Sequence, residues 1–140
     1  AWATNATGDS KSIFQLSDNV YVRGQHFPAN TQVNIHLIPD GEQALPSNAV
    51  ANASAVTDDL GNLTNTLVWH SPLNMGQFDI WIDVNRNGLF DAGDVWNNQA
   101  IGIYAYSVIP EYWTGIIPGL LICSAAAVFA IRQVSKRKTQ

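Results

Sequence analysis

Between Ser12 and Val108, apolar and polar residues alternate in short runs, with a turn signal roughly every ten residues. Ser12-Ile13-Phe14-Gln15-Leu16 is followed by Asn19-Val20-Tyr21-Val22-Arg23. In the next run, Gln32-Val33-Asn34-Ile35-His36-Leu37, Val33, Ile35 and Leu37 share one face while Asn34 and His36 share the other. Pro39-Asp40-Gly41 and Pro46 predict a long turn. Val50–Thr57 and Asn62–Trp69 flank Asp58-Asp59-Leu60-Gly61, which reads as a hairpin-like connection. Phe78, Ile80 and Ile82 then face one way and Asp79, Trp81 and Asp83 the other; Ala100–Val108 closes the series. Nothing before residue 112 sustains the helical period of 3.6. This pattern predicts an all-β fold: an antiparallel β-sandwich over residues 11–108, preceded by an N-terminal segment, 1–10. Its core is expected to hold Phe14, Val22, Val33, Ile35, Leu67, Phe78, Ile80 and Ile82.

After a short linker, 109–112, the pattern changes. Trp113 to Ile131 carries no charge, and its 19 residues would make roughly 28 Å of helix, close to the thickness of a bilayer's hydrocarbon core. Tyr112 and Trp113 stand at one end, where amphipathic rings favour the lipid–water interface; Arg132, Lys136, Arg137 and Lys138 stand at the other. The expectation is a single transmembrane helix over 113–131, with the basic tail 132–140 in the cytoplasm and the sandwich outside the cell. That topology requires a secretory signal removed ahead of Ala1. Three sequons, at Asn5, Asn52 and Asn62, agree with an extracellular domain and are candidate glycosylation sites.

Charge sharpens this division. Only 13% of the residues are charged, about half the share usual in soluble domains. All eleven acidic residues lie between Asp9 and Glu111 beside three bases, Lys11, Arg23 and Arg86, so residues 1–112 carry a net −8 while the rest carries +4. A body this acidic argues against nucleic acid as a partner. The single cysteine, Cys123, excludes an internal disulfide framework and a cysteine-rich metal site.

Val20-Tyr21-Val22-Arg23-Gly24-Gln25-His26-Phe27-Pro28-Ala29-Asn30-Thr31-Gln32-Val33 resembles the corresponding stretch of immunoglobulin-like surface modules of the IPT/TIG kind, and Thr57–Thr64 with Gly76–Ile80 is similar to their later strands. The resemblance implies an immunoglobulin-like sandwich and no particular activity. Ile109-Pro110-Glu111-Tyr112, the apolar span and the basic end together resemble the PEF tails of archaeal surface proteins, with Tyr112 where those tails have Phe. That likeness implies an archaeal-type cell-surface protein anchored at its C-terminus.

One segment carries a recognisable chemistry. Asp83-Val84-Asn85-Arg86-Asn87-Gly88-Leu89-Phe90-Asp91-Ala92-Gly93-Asp94 follows the calcium-loop pattern: oxygen ligands at positions 1, 3 and 5 (Asp83, Asn85, Asn87), the turn glycine at 6 (Gly88), a backbone carbonyl at 7 (Leu89), Asp91 at 9 and Asp94 at 12. A hard cation with six to eight ligands has to be wrapped by one short loop, which is why the spacing matters. Aspartate replaces the bidentate glutamate at position 12 and strands flank the loop, so the expectation is a weak extracellular calcium loop and not a helix-flanked sensor. The competing reading is an Asn/Asp/Gly-rich turn that binds nothing.

The other candidates are weaker. His26, His36, His70 and Met75 share no short ligand spacing, which argues against copper. No nucleophile elbow or phosphate loop occurs, and Asp58-Asp59 reads as a solvated turn, so no enzymatic activity is expected. Trp2, Trp69, Trp81 and Trp96 offer faces for sugars or partners, with Trp81, on its strand's polar face, expected to be the most exposed. The reading that follows is a non-catalytic accessory or structural subunit. Its sandwich would pack on the outer face of a multi-subunit membrane complex, such as a membrane oxidase or monooxygenase, with other membrane-protein subunits and the lipid bilayer as partners. The alternative is a free-standing surface protein for adhesion or the cell coat.

Overall fold

Eight strands form in a computed structural model that describes residues 1–105: β1 (Trp2–Thr4), β2 (Ile13–Gln15), β3 (Val20–Gly24), β4 (Gln32–Pro39), β5 (Ala51–Val56), β6 (Leu63–Trp69), β7 (Gly76–Asp83) and β8 (Val95–Tyr104). They make two sheets, ordered β1-β3-β6 and β2-β8-β7-β4-β5. Alternation explains the layering. Val20, Val22 and Leu63 from the smaller sheet meet Phe14, Val33, Ile35, Leu37, Phe78, Ile80, Ile82, Ile101 and Ile103 from the larger in one buried cluster. The fold is an all-β sandwich. Residues 109–112, 113–131 and 132–140, read as linker, membrane span and basic tail, lie outside the described residues; among the described residues no helix is long and apolar enough to cross a membrane.

Four details depart from the sequence pattern. Trp2–Thr4, in the segment read as preceding the sandwich, pairs antiparallel with β3 and extends the smaller sheet. The pairing is not wholly antiparallel, because β2 runs parallel to β8, Phe14 opposite Ile103. The turn at Asp58–Gly61 does not close a hairpin: β5 belongs to the larger sheet and β6 to the smaller. It closes on itself through Gly61 N–H on the Asp58 carbonyl, and its carbonyls also hold the β3–β4 connection, with Phe27 N–H on Gly61 at 3.0 Å and Asn30 N–H on Asp58 at 3.0 Å. The chain is thereby steered across the sandwich. Finally, Leu67 is only half-buried and stands opposite Tyr21, because register shifts between β3 and β6 break the alternation that would have sent it inward.

Candidate metal-binding loop and the face beneath it

The loop from Asp83 to Asp94 joins β7 to β8, and hydrogen bonds draw Asn85 and Asn87 onto Asp91 and the amides of the turn onto Asp83. Asp83, buried at the end of β7, accepts the backbone N–H groups of Asn87 (3.2 Å) and Gly88 (3.0 Å). Gly88 has φ +73, the left-handed turn that position 6 demands. Asn85 and Asn87 each accept a backbone N–H two residues on, from Asn87 and Leu89, and their amide nitrogens donate to Asp91 at 3.0 and 2.6 Å. Asp94 closes the loop by accepting the Val84 N–H (2.9 Å) and the Trp81 indole N–H (3.1 Å). Leu89 is exposed on the outside of the turn, and Arg86 leaves the loop to reach Gln32 at 3.1 Å.

This arrangement is chemically two-sided. As it stands, every carboxylate of the loop has N–H donors, so the loop holds itself by hydrogen bonds. A cation would need Asn85 and Asn87 to present oxygen in place of the nitrogen they aim at Asp91, a rotation about one side-chain bond in each. Among the described residues no group of three or more His, Cys, Asp or Glu is placed to hold a metal ion. The histidines are not brought together: exposed His26 lies in the β3–β4 connection, His36 is buried on β4, and exposed His70 follows β6.

Beneath the loop lies a second, smaller core that alternation alone does not reveal. Trp81, expected to be exposed, is fully buried. It stacks on His36 at 4.5 Å between ring centroids, and Trp96 stands opposite it in the register. Phe90 packs edge-on against Trp96 at 5.7 Å. Ile38, Asp79 and Asp83 are buried on this same outer side of the larger sheet. The covering comes from connections: the Asp83–Asp94 loop folds back over the sheet, and Gly88 approaches Pro46 of the β4–β5 connection. The middle of a sheet face that reads polar in sequence is therefore buried, while Asn52 and Ser54 of β5 on the same face stay exposed.

Asp79 marks the cost of that burial. It accepts the Gln99 N–H at 2.6 Å, where β8 bulges past β7 and Gln99 takes a positive φ. Burial pushes its carboxyl above the ordinary aspartate range; the Gln99 N–H pulls against that, and the charge of Asp40 pushes the same way as burial. A raised folded-state pKa means that ionised Asp79 subtracts from stability as pH rises through that value. Asp79→Asn keeps the acceptor for Gln99 and loses the charge. The variant should melt above the parent at pH 7, with the gap narrowing as pH falls through the raised folded value and gone below about pH 4, the ordinary aspartate value, where the carboxyl is protonated in the unfolded chain as well. A variant that melts lower at pH 7 would show that the charge is needed.

The sequons differ in setting. Asn5 accepts from the Thr7 hydroxyl and backbone in an Asx turn, and Asn62 donates its amide to Asp58 at 2.9 Å. Asn52 is exposed on β5, with its side-chain oxygen on His36 Nδ1. No protein-family model, curated protein or solved structure matches the chain.

Proposed function

We propose that this chain is a non-catalytic, single-span accessory subunit whose immunoglobulin-like sandwich sits on the outer face of a multi-subunit membrane complex, of the kind that membrane oxidases and monooxygenases form. The observation that carries the reading is the way the domain leads toward the apolar stretch. β8 ends at Tyr104, and residues 105–112, without a Ser/Thr/Pro-rich stalk, separate it from the uncharged run 113–131. A domain tethered so closely rests at the lipid surface, where neighbouring subunits are in reach. Tyr104 and Met75, exposed at the end of the sandwich where the chain leaves β8, supply apolar surface there. The immunoglobulin-like assignment is supported by the strand order: β1-β3-β6 against β8-β7-β4-β5 follows the arrangement of such domains, with β2 as an added edge strand beside β8. Purification in mild detergent, followed by identification of co-migrating chains, tests the function. A stable set of membrane subunits in fixed proportion is expected; a chain that migrates alone would favour the surface-adhesion alternative and sink this one.

We infer further that the loop takes calcium as a staple. Its ligands would be Asp83, Asn85, Asn87, the Leu89 carbonyl, Asp91 and Asp94, all drawn from one connection between strands already paired through Ile82 and Val95. An ion would fix the loop and leave the sheet where it is. At free calcium 100 times the dissociation constant, linkage adds about 2.7 kcal/mol to stability. Melting curves with calcium and with chelator, repeated on Asp83→Ala, read this directly. The parent should melt higher with calcium and the variant should not respond; a parent indifferent to chelator would leave the loop a hydrogen-bonded turn.

A further inference from the structure

Four strands end the two sheets, and three of them are blunted. β1 and β2 are three residues long, and β6 pairs with register shifts, all features that discourage a further strand from adding. β5 lacks these protections. It pairs with β4 in unbroken register from Gln32↔Val56 to Leu37↔Ala51, and its sequence, Ala51-Asn52-Ala53-Ser54-Ala55-Val56, contains neither charge nor proline. No charged residue stands between Glu42 and Asp58, although residues 1–112 carry a net −8. On a body whose copies repel one another, this edge is where two copies can meet without opposing charge.

The direction of the free backbone groups follows from the ladder. Asp40 N–H donates to the Gln77 carbonyl, which turns the even-numbered residues of β4 toward β7 and the odd-numbered ones toward β5. Thr57 N–H donates to the Thr31 carbonyl, which continues the same phase. Ala51, Ala53 and Ala55 therefore spend their backbone groups on β4, and those of Asn52, Ser54 and Val56 point off the edge. We propose that β5 pairs antiparallel with β5 of a second copy of this chain, about a two-fold axis at Ala53, joining two five-stranded sheets into one.

The register is self-complementary. With Ala53 on the axis, Asn52 and Ser54 of the second copy form hydrogen-bonded backbone pairs with Ser54 and Asn52 of the first. Their side chains match as well. Asn52 Oδ1 is held by His36 Nδ1, which leaves the Asn52 amide nitrogen to donate. Ser54 Oγ donates to Asn34 Oδ1 at 2.8 Å, which leaves its lone pairs to accept from the second copy's Asn52. Val56, 58% exposed, reaches the end of the second strand where Val50 is 38% exposed, and the two would cover each other. The two-fold consumes both edges, so the assembly closes at two copies instead of growing into a fibre.

The test uses the full chain in mild detergent, made in a host that adds no N-linked glycan. In a Cys123→Ala background, Asn52→Cys with Ser54→Cys should give a disulfide-linked dimer on oxidation, since a hydrogen-bonded antiparallel pair sets Cα atoms about 5.5 Å apart, within disulfide reach. A single cysteine on β6, Thr64→Cys, should not cross-link. Separately, Ser54→Lys and Val56→Lys, both at exposed positions, should each weaken the dimer about tenfold or more, with the melting temperature kept when parent and variant are compared at a dilution where both are monomeric. A monomeric parent chain overturns the proposal, as does a dimer that ignores both lysines, which would place the contact elsewhere. A glycan found on Asn52 in protein from its own cells would also overturn it, because the sugar would occupy the edge.

Discussion

Trp81→Ala should cost the domain about 3–5 kcal/mol, as large as any single truncation available in it. Trp81 is fully buried, its ring stacks on His36, and its indole N–H donates to Asp94. Removing it opens a cavity under the Asp83–Asp94 loop and takes away one of the donors that anchor the half-buried Asp94 carboxylate, which keeps the Val84 N–H. Trp81→Phe separates the two contributions: the ring still fills most of the space, and only the N–H is lost, for about 1–2 kcal/mol. Chemical denaturation of both variants measures the pair. Were alanine and phenylalanine equally harmful, the hydrogen bond and not the packing would dominate; were both harmless, the outer face of the sheet would be wet and the second core would not exist.

Gly61→Ala should destabilise the domain by more than Gly41→Ala, and the difference measures a single backbone contact. Both glycines have positive φ, +74 and +85, so each substitution carries the left-handed cost of about 1–2 kcal/mol. At Gly41 an added Cβ meets nothing within 4 Å, whereas at Gly61 it would lie 2.1 Å from the Phe27 carbonyl oxygen. That overlap forces apart the β3–β4 connection and the turn that carries the chain between sheets. It also strains the bond from Phe27 N–H to the Gly61 carbonyl. A total of at least about 2 kcal/mol is expected at Gly61. Equal midpoints for the two variants in urea would mean that the crossover turn does not depend on this contact.

Much of the sandwich was legible because burial on one face of a strand writes itself into sequence with a period of two. Val33, Ile35, Leu37, Phe78, Ile80 and Ile82 declare both the strands and the side that faces the core, and all are buried there. The calcium-type spacing likewise marked a compact loop turning at Gly88, in which Asn85 and Asn87 meet Asp91 and Asp83 takes the Gly88 N–H through local geometry alone. β1 was not legible: three residues are too few to show a period, and only pairing with β3 makes them a strand. Nor was the parallel contact of β2 with β8, which joins residues far apart along the chain. Alternation also cannot say whether a second face meets water. His36, Asp79, Trp81 and Asp83 mark a polar side in sequence, and only the loops folding over it from either end of the sheet decide that it is buried. Local pattern determined which residues point together; what covers them was decided by contacts between segments distant in sequence, and no local period records those.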